Sequence, residues 1–314
     1  MFRYYMYGLD IESELEIPEL RQSDFEQSDV QIHFAAVPET LSNATNAAPW
    51  LQVSGEQCLM SVKDVGRFLI KNGREIVIDR RIDRKRSRGL GVPSSDIRLY
   101  LLGSAFGALI HQRNQLPFHV SAVDSGSGVW AFTGPSGAGK STTAGWFNRH
   151  YGWPIISDDV SVVRPSDDQP LLYPGPRKLK LWSDAIDYLE CGDANLKRDL
   201  SNTDKFQLYL NEKELIQAAP LQALIMLERC EPGEKPSLRR LTGLEAFRVC
   251  RLSIYRPIFE QYLRKRSEFV ADIVNLTQSI QIYRFRRPWS LEAIPEHFAE
   301  LSEQLGQQPL SKAG

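Results

Sequence analysis

The chain opens as a series of short apolar runs broken by polar turns. "FRYYMYGLDIES", "DVQIHFAAV", "LMSVKDV" and "REIVIDR" gather β-branched and aromatic residues in stretches too short for helices, and predict a strand-rich first third. In "KNGREIVID" an Asn-Gly pair separates two apolar runs, a hairpin signal. "RRIDRKRSRGLGVPSS" follows, basic at first and then rich in Gly, Pro and Ser, and reads as a solvated linker. It divides the chain into a strand-rich N-terminal α+β domain, 1–94, and a second domain, 95–314. From Ser95 the period lengthens: Leu99, Leu102, Ala105, Phe106 and Leu109 recur at helical spacing behind a Ser95 cap, predicting a helix to Gln115.

The second domain alternates strands and helices. "FHVSAV", a "DSGSG" turn and "VWAFTG" predict a hairpin whose second strand runs into a glycine-rich loop, followed by a helix over Ser141–His150. "YGWP" ends that helix and "IISDDVSVV" is the next strand. "LQALIMLE" reads as a buried strand, and "TGLE", Thr242 to Glu245, as a capping box opening a helix to about Leu252. Pro257 starts or kinks a helix that continues toward Leu276, "QSIQIYRF" is a last strand, and Ser290 opens a terminal helix. No internal repeat or low-complexity segment interrupts this pattern.

Composition narrows the class. With 314 residues, 42% apolar and 25% charged, the chain has the balance of a soluble globular protein. A formal charge of −1 lacks the basic surplus of a nucleic-acid binder. The longest apolar run, Leu99 to Ile110, falls short of the ~20 residues a membrane span needs. The N-terminus lacks the basic and apolar regions of a signal peptide. Cys58, Cys191, Cys230 and Cys250 are widely spaced, without a C-x-x-C pair, and read as ordinary thiols in a reducing compartment. The expectation is a cytoplasmic protein with neither nucleic acid nor membrane as partner.

The stretch carrying chemistry is "GPSGAGKSTT", which fits G-x-x-x-x-G-K-[ST] between an apolar strand and a helix. Backbone N–H groups from Gly134 through Ser136, Gly137, Ala138, Gly139, Lys140, Ser141 and Thr142 are placed to cradle phosphates. Glycine at 134, 137 and 139 permits the torsions and close approach this needs. Lys140 would reach the β and γ phosphates, and Ser141 would offer its hydroxyl to Mg²⁺. "GSGVWA", Gly126 to Ala131, formally fits a dinucleotide fingerprint, but its glycines precede a strand instead of opening a helix, and they read as the hairpin turn. That turn is too short for a crossover, so the loop strand has an antiparallel neighbour, unlike the largely parallel sheets of P-loop switches and motors.

Asp158-Asp159 ends the next strand. On an extended backbone the two carboxylates would point to opposite sides, one toward metal and phosphate and one toward a separate task. A phosphotransferase uses one carboxylate with the Ser hydroxyl on Mg²⁺ and another to take the acceptor's proton. Asp167-Asp168 reads as a plain turn. His119, in the strand expected to face the loop strand, is carried as a site residue near the phosphates. Arg177, Lys178, Lys180 and Lys205 are candidates for neutralising transition-state charge.

Together "LPFHVSAV", "GPSGAGKST" and "IISDDVSVV" resemble the catalytic domain of the HPr kinase/phosphorylase family, whose fold is related to ATP-dependent phosphoenolpyruvate carboxykinase. The likeness is specific over Leu116 to Val163. "YGLDIESELEIPEL", "YPGPRKLKLW" and "YRFRRPW" look like a subgroup of HPr-kinase-like proteins that includes serine kinases of lasso-peptide biosynthesis. The resemblance implies an α/β P-loop kinase core at 95–314; the 1–94 domain is a candidate for substrate recognition. It implies ATP and Mg²⁺ as cofactors and a serine hydroxyl on a peptide or small protein as acceptor. Gly134, Gly139, Lys140 and Ser141 would hold nucleotide and Mg²⁺, Asp158 would be general base, Asp159 would lie at the metal or acceptor edge, and His119 would match the family's strand histidine. Thr142 stands where HPr kinases carry Glu, and no E-[IV]-R-G-x-G stretch, which in that family goes with HPr docking and phosphorolysis, is present.

The residues themselves leave two other readings open: a kinase of a small metabolite hydroxyl, and a nucleotide-binding regulatory module that transfers nothing. They leave open a homo-oligomer as well.

Overall fold

A computed structural model of the chain describes residues 1–80, 93–164, 169–176, 178–189, 196–198, 204–209, 218–231 and 233–306. Most of the expected linker, the Asp167-Asp168 pair, Arg177, Cys191 and the side chain of Lys205 lie outside the described residues. The fold is mixed α/β, with several sheets and helices. It divides into two compact units, Met1–Pro117 with Tyr255–Val270, and Phe118–Ile254 with Ala271–Gly314.

The first unit is built on a nine-stranded sheet. Its strands run in the order Arg21–Gln22, Phe2–Met6, Leu9–Ser13, Val30–Phe34, Glu75–Asp79, Gly66–Lys71, Gln57–Val62, Leu51–Ser54, Thr45–Ala48. Pairing is antiparallel except where Val30–Phe34 meets Leu9–Ser13 and Glu75–Asp79. Tyr7-Gly8 and Asn72-Gly73 both adopt positive φ in hairpin turns, so the predicted Asn-Gly hairpin forms. The expected helix from Ser95 is present in three parts: α-helix Ser94–Tyr100, a π segment Leu101–Ala105, and α-helix Phe106–Gln112. Gly103 and Gly107 lie against Tyr255, and buried His111 meets the Tyr255 carbonyl at 3.2 Å, so the late helix Pro257–Leu263 belongs to this early sheet.

In the second unit Ala219–Arg229 is the long central strand, parallel to Val129–Thr133 on one side and Gln281–Arg287 on the other. Val129–Thr133 pairs antiparallel with Ser121–Asp124, as the hairpin predicts, and Ser121–Asp124 pairs in turn with Ile155–Ser157. The helix Lys140–Tyr151 leaves the loop and buries Phe147 between Phe132 and Trp153, stacked with ring centroids 5.8 and 4.6 Å away and planes nearly parallel, with Trp130 and Phe298 in the same core. Aromatic rings of this size carry large buried areas and dominate core energetics.

Local details depart from expectation. The helix Gly243–Leu252 forms behind Thr242, but Glu245 forks onto Arg239 at 2.7 and 2.8 Å, so the capping box does not close. An ion pair with a neighbouring strand outcompetes the local hydrogen bond. Helix Pro257–Leu263 stops at Arg264, whose backbone is extended, and a separate helix spans Arg266–Ser279. The terminal helix begins at Ile294, not at Ser290, with Pro295 in its first turn. Among the described residues no helix is long and apolar enough to cross a membrane, and Cys58, Cys230 and Cys250 are free and buried.

Candidate active site

The glycine loop sits between the strand Val129–Thr133 and the helix Lys140–Tyr151. Gly134, Gly137 and Gly139 have φ of 142°, 82° and 83°, values that side chains strain to adopt. At Gly134 a Cβ would meet the Leu227 carbonyl at 2.8 Å, so the central strand itself demands glycine there. Gly139 is the helix N-cap; its carbonyl accepts from the amide and hydroxyl of Thr143 at 2.8 and 2.7 Å. The first-turn N–H groups are left toward a cleft of about 240 Å³. Loop residues Ser136 to Thr142 line it, with His119, Asp158, Asp159, Lys180 and Arg287 around them and Trp182 and Trp289 among its apolar members.

Lys140 is buried, and its Nζ donates to the carbonyls of Gly134 and Pro135 at 2.9 and 3.2 Å. The ammonium is thereby held on two carbonyls of its own loop.

The Asp-Asp doublet departs from the expected geometry. The backbone is not extended: the strand breaks after Ser157 and resumes at Ser161, and Asp159 has φ 78°. That left-handed residue turns both carboxylates into the same cleft. Asp158 is 2% exposed and fully enclosed by donors. Ser141 Oγ donates to its Oδ1 at 2.8 Å, Ser121 Oγ donates to the same oxygen, and the Lys180 amide donates to Oδ2 at 2.6 Å. Burial pushes the Asp158 carboxyl up, the three donors pull it back, and neighbouring Asp159 adds to the rise; the net shift is upward.

Asp159 is more open and more strongly paired. Lys180 Nζ lies 2.6 Å from Oδ2, and His119 Nδ1 lies 3.3 Å from Oδ1. Burial alone would raise its carboxyl, but the His119 hydrogen bond and the Lys180 charge outweigh that and hold it well below the usual carboxylate range.

His119 is not within a strand, as the sequence suggested. It lies in the break between Leu116–Phe118 and Ser121–Asp124. Its amide donates to Ser253 O at 2.7 Å and its Nδ1 donates to the Asp159 carbonyl at 2.8 Å. A carbonyl can only accept, so Nδ1 carries the ring proton.

Of the four candidate cations, Lys180 reaches the cleft, and Lys178 turns to Gln207 at 3.5 Å. Sequence reasoning missed Ser121 and Arg287. A serine in a strand carries no local signal of a carboxylate 37 residues on. Arg287 ends the strand Gln281–Arg287 among other arginines, and only the fold shows it to be 4% exposed.

The oxygen set at the end of the loop fits a hard divalent ion. Ser141 and Asp158 offer a hydroxyl and a carboxylate whose charge meets only neutral donors. Among the described residues no group of three or more His, Cys, Asp or Glu side chains that could hold a metal ion is gathered.

No family model and no curated protein matches the chain. Among solved structures it is similar to the HPr(Ser) kinase/phosphatase from Coxiella burnetii, at 10% identity and a TM-score of 0.32, over 60% of this chain and 97% of that one.

Proposed function

We propose that the chain is a phosphotransferase of the HPr kinase and phosphoenolpyruvate carboxykinase type, moving the γ-phosphoryl of ATP to a serine hydroxyl of a peptide or small protein. The observation that carries this reading is the Ser141–Asp158 hydrogen bond at the foot of the glycine loop, with a second carboxylate beside it in the same cleft. A phosphate cradle alone binds; a cradle with two differently paired carboxylates has the parts for transfer. The identity of the acceptor rests on the sequence motifs that resemble the family.

The geometry favours a division of labour opposite to that expected from the sequence. Asp158, sealed from solvent and joined to Ser141, is the carboxylate that would hold Mg²⁺; bound there, the ion would neutralise charge on the β and γ phosphates. Asp159, more open, is the one an acceptor hydroxyl can reach. Its low proton affinity is tolerable because a loose transition state releases the hydroxyl proton late, so that orienting the oxygen counts for more than basicity. His119 fixes the carboxylate from behind. Lys180 spans both roles: its amide holds Asp158 while its ammonium sits on Asp159, where it can follow charge onto the transferred phosphoryl. Lys140 exchanges the Gly134 and Pro135 carbonyls for phosphate oxygens on binding.

The test is transfer from γ-labelled ATP to peptides with a single serine. Labelled peptide from the natural chain, and none from an Asp159→Asn variant that still binds ATP, is the expected result. Labelling that survives in Asp159→Asn moves the acceptor group elsewhere. Binding of ATP without labelling of any peptide or small hydroxyl compound leaves a nucleotide-binding module.

A further inference from the structure

Arg287 takes no part in the scheme above, yet it is the least compensated charge lining the cleft. Its Nη1 donates to the Pro288 carbonyl at 3.2 Å, its Cζ lies 5.0 Å over the Phe298 ring, and its buried Nε has no partner. No carboxylate of the described residues pairs with it. Burial lowers its pKa to about 10, which leaves the guanidinium charged at neutral pH. An enclosed cation with one carbonyl and a ring face is poorly compensated, and an anion arriving beside it would be correspondingly well held.

The anion's place is indicated by the neighbouring loop. A Cβ on Gly139 would lie 3.2 Å from Arg287 Nη2, so the fork rests against the helix N-cap that presents the loop amides. Arg287 and Lys140 line the same cleft. They differ in kind: lysine offers a mobile point charge, whereas the planar guanidinium offers paired donors that match two phosphate oxygens.

We propose that Arg287 is a second cationic ligand for the phosphate chain bound in the Gly134–Ser141 loop, reaching it from the end of the strand Gln281–Arg287. The inference rests on the nucleotide-binding reading and adds to it a residue outside the motif. It also accounts for glycine at 139, since a side chain there would enter the space the guanidinium and the phosphates share.

The experiment compares the natural chain with Arg287→Met and Arg287→Lys. Affinities for Mg-ATP and for inorganic tripolyphosphate are read by calorimetry, and melting temperatures are read without ligand. Removing a charge-assisted pair of hydrogen bonds is expected to weaken both ligands by ~10- to 100-fold in Arg287→Met, and less in Arg287→Lys, which keeps the charge and loses the fork. Ligand-free Arg287→Met is expected to melt no lower than the natural chain, because an uncompensated charge is replaced by an apolar stem against Phe298. Unchanged affinity in Arg287→Met overturns the proposal. So does ligand-free Arg287→Met that melts several degrees lower or does not fold, since Arg287 would then be holding the structure. A loss confined to ATP, with tripolyphosphate unaffected, puts Arg287 on base or ribose and also overturns it. If the natural chain binds neither ligand, the nucleotide-binding reading falls with it; if it binds both and the variants match it, this proposal alone falls.

Discussion

Ser141 Oγ donates to Asp158 Oδ1 across 2.8 Å, joining the first turn of the loop helix to the start of the left-handed Asp-Asp turn. The contact spans 17 residues and brings together the two oxygen types a phosphate-bound divalent ion uses. Because the carboxylate is sealed in, its charge is available to something at the loop and to little else.

Asp158→Asn tests that exclusivity. The variant keeps the size of the side chain and loses the charge. Mg-ADP affinity is expected to fall by ~10- to 100-fold, while ADP measured in EDTA binds as it does to the natural chain. Calorimetry with and without metal reads both; an equal loss in the two conditions would mean that Asp158 serves loop structure instead.

Lys180→Met separates binding from transfer. Its amide, and so its hold on Asp158, survives the change. ATP affinity should stay within about threefold, whereas peptide labelling should fall by ~10²- to 10³-fold, the usual cost of losing one donor to developing charge.

The Asp159 carboxyl is held below its ordinary range, so its ionised form stabilises the fold. For a depressed carboxyl that contribution is complete above the unfolded value near ~4 and is lost as pH falls toward the folded value. Asp159→Asn should therefore be less stable than the natural chain at pH ~7, and the gap should narrow by pH ~3. Urea unfolding at the two pH values checks the direction.

His111 carries the same sign of sensitivity over a higher pH range. It is fully buried in the first unit, its Nε2 on the Tyr255 carbonyl and its Nδ1 unpartnered, and burial pushes its pKa down to about 4 from 6.5. The unfolded chain takes up the proton first, so stability is full above pH ~6.5 and drains away as pH falls toward ~4, by roughly 3 kcal/mol if that group acts alone. His111→Gln should flatten this slope, which a pH series of thermal melts would show.

Two glycines of one loop should behave differently. Gly134→Ala adds a Cβ that would meet the Leu227 carbonyl at 2.8 Å on a φ of 142°, whereas Gly137→Ala meets nothing within 4 Å. The first should cost about 3 kcal/mol or more and the second about 1 kcal/mol, the price of positive φ alone. Denaturant midpoints decide it.

What the sequence made legible was whatever short-range chemistry settles. The Asn72-Gly73 turn, the hairpin from Ser121 to Thr133, the glycine loop and its helix all follow from residues within a few positions of one another. What it hid was set by partners far along the chain. Nothing near Val129–Thr133 announces that its other neighbour is Ala219–Arg229. "SDDV" accommodates an extended strand as readily as the left-handed turn that Asp159 adopts, and His119 and Lys180, 40 and 21 residues away, are among its partners there. At Glu245 the competition is between two nearby partners, the local cap and Arg239 six residues back on the strand Ser237–Arg240, and the ion pair wins. Arg287 looks like its surface neighbours until the helix carrying Phe298 closes over it.

The return of Tyr255–Val270 to the first unit has a consequence for how the protein is made. The strands of this sheet are synthesised long before the helix that returns to them: His111 finds its carbonyl 144 residues later, and Trp50 meets the edge of the Phe259 ring only when that residue has been synthesised. A chain ending at Ile254 would hold all nine strands of that sheet and lack Tyr255–Val270. Premature release in that window is where chaperone capture and proteolysis of nascent chains should concentrate.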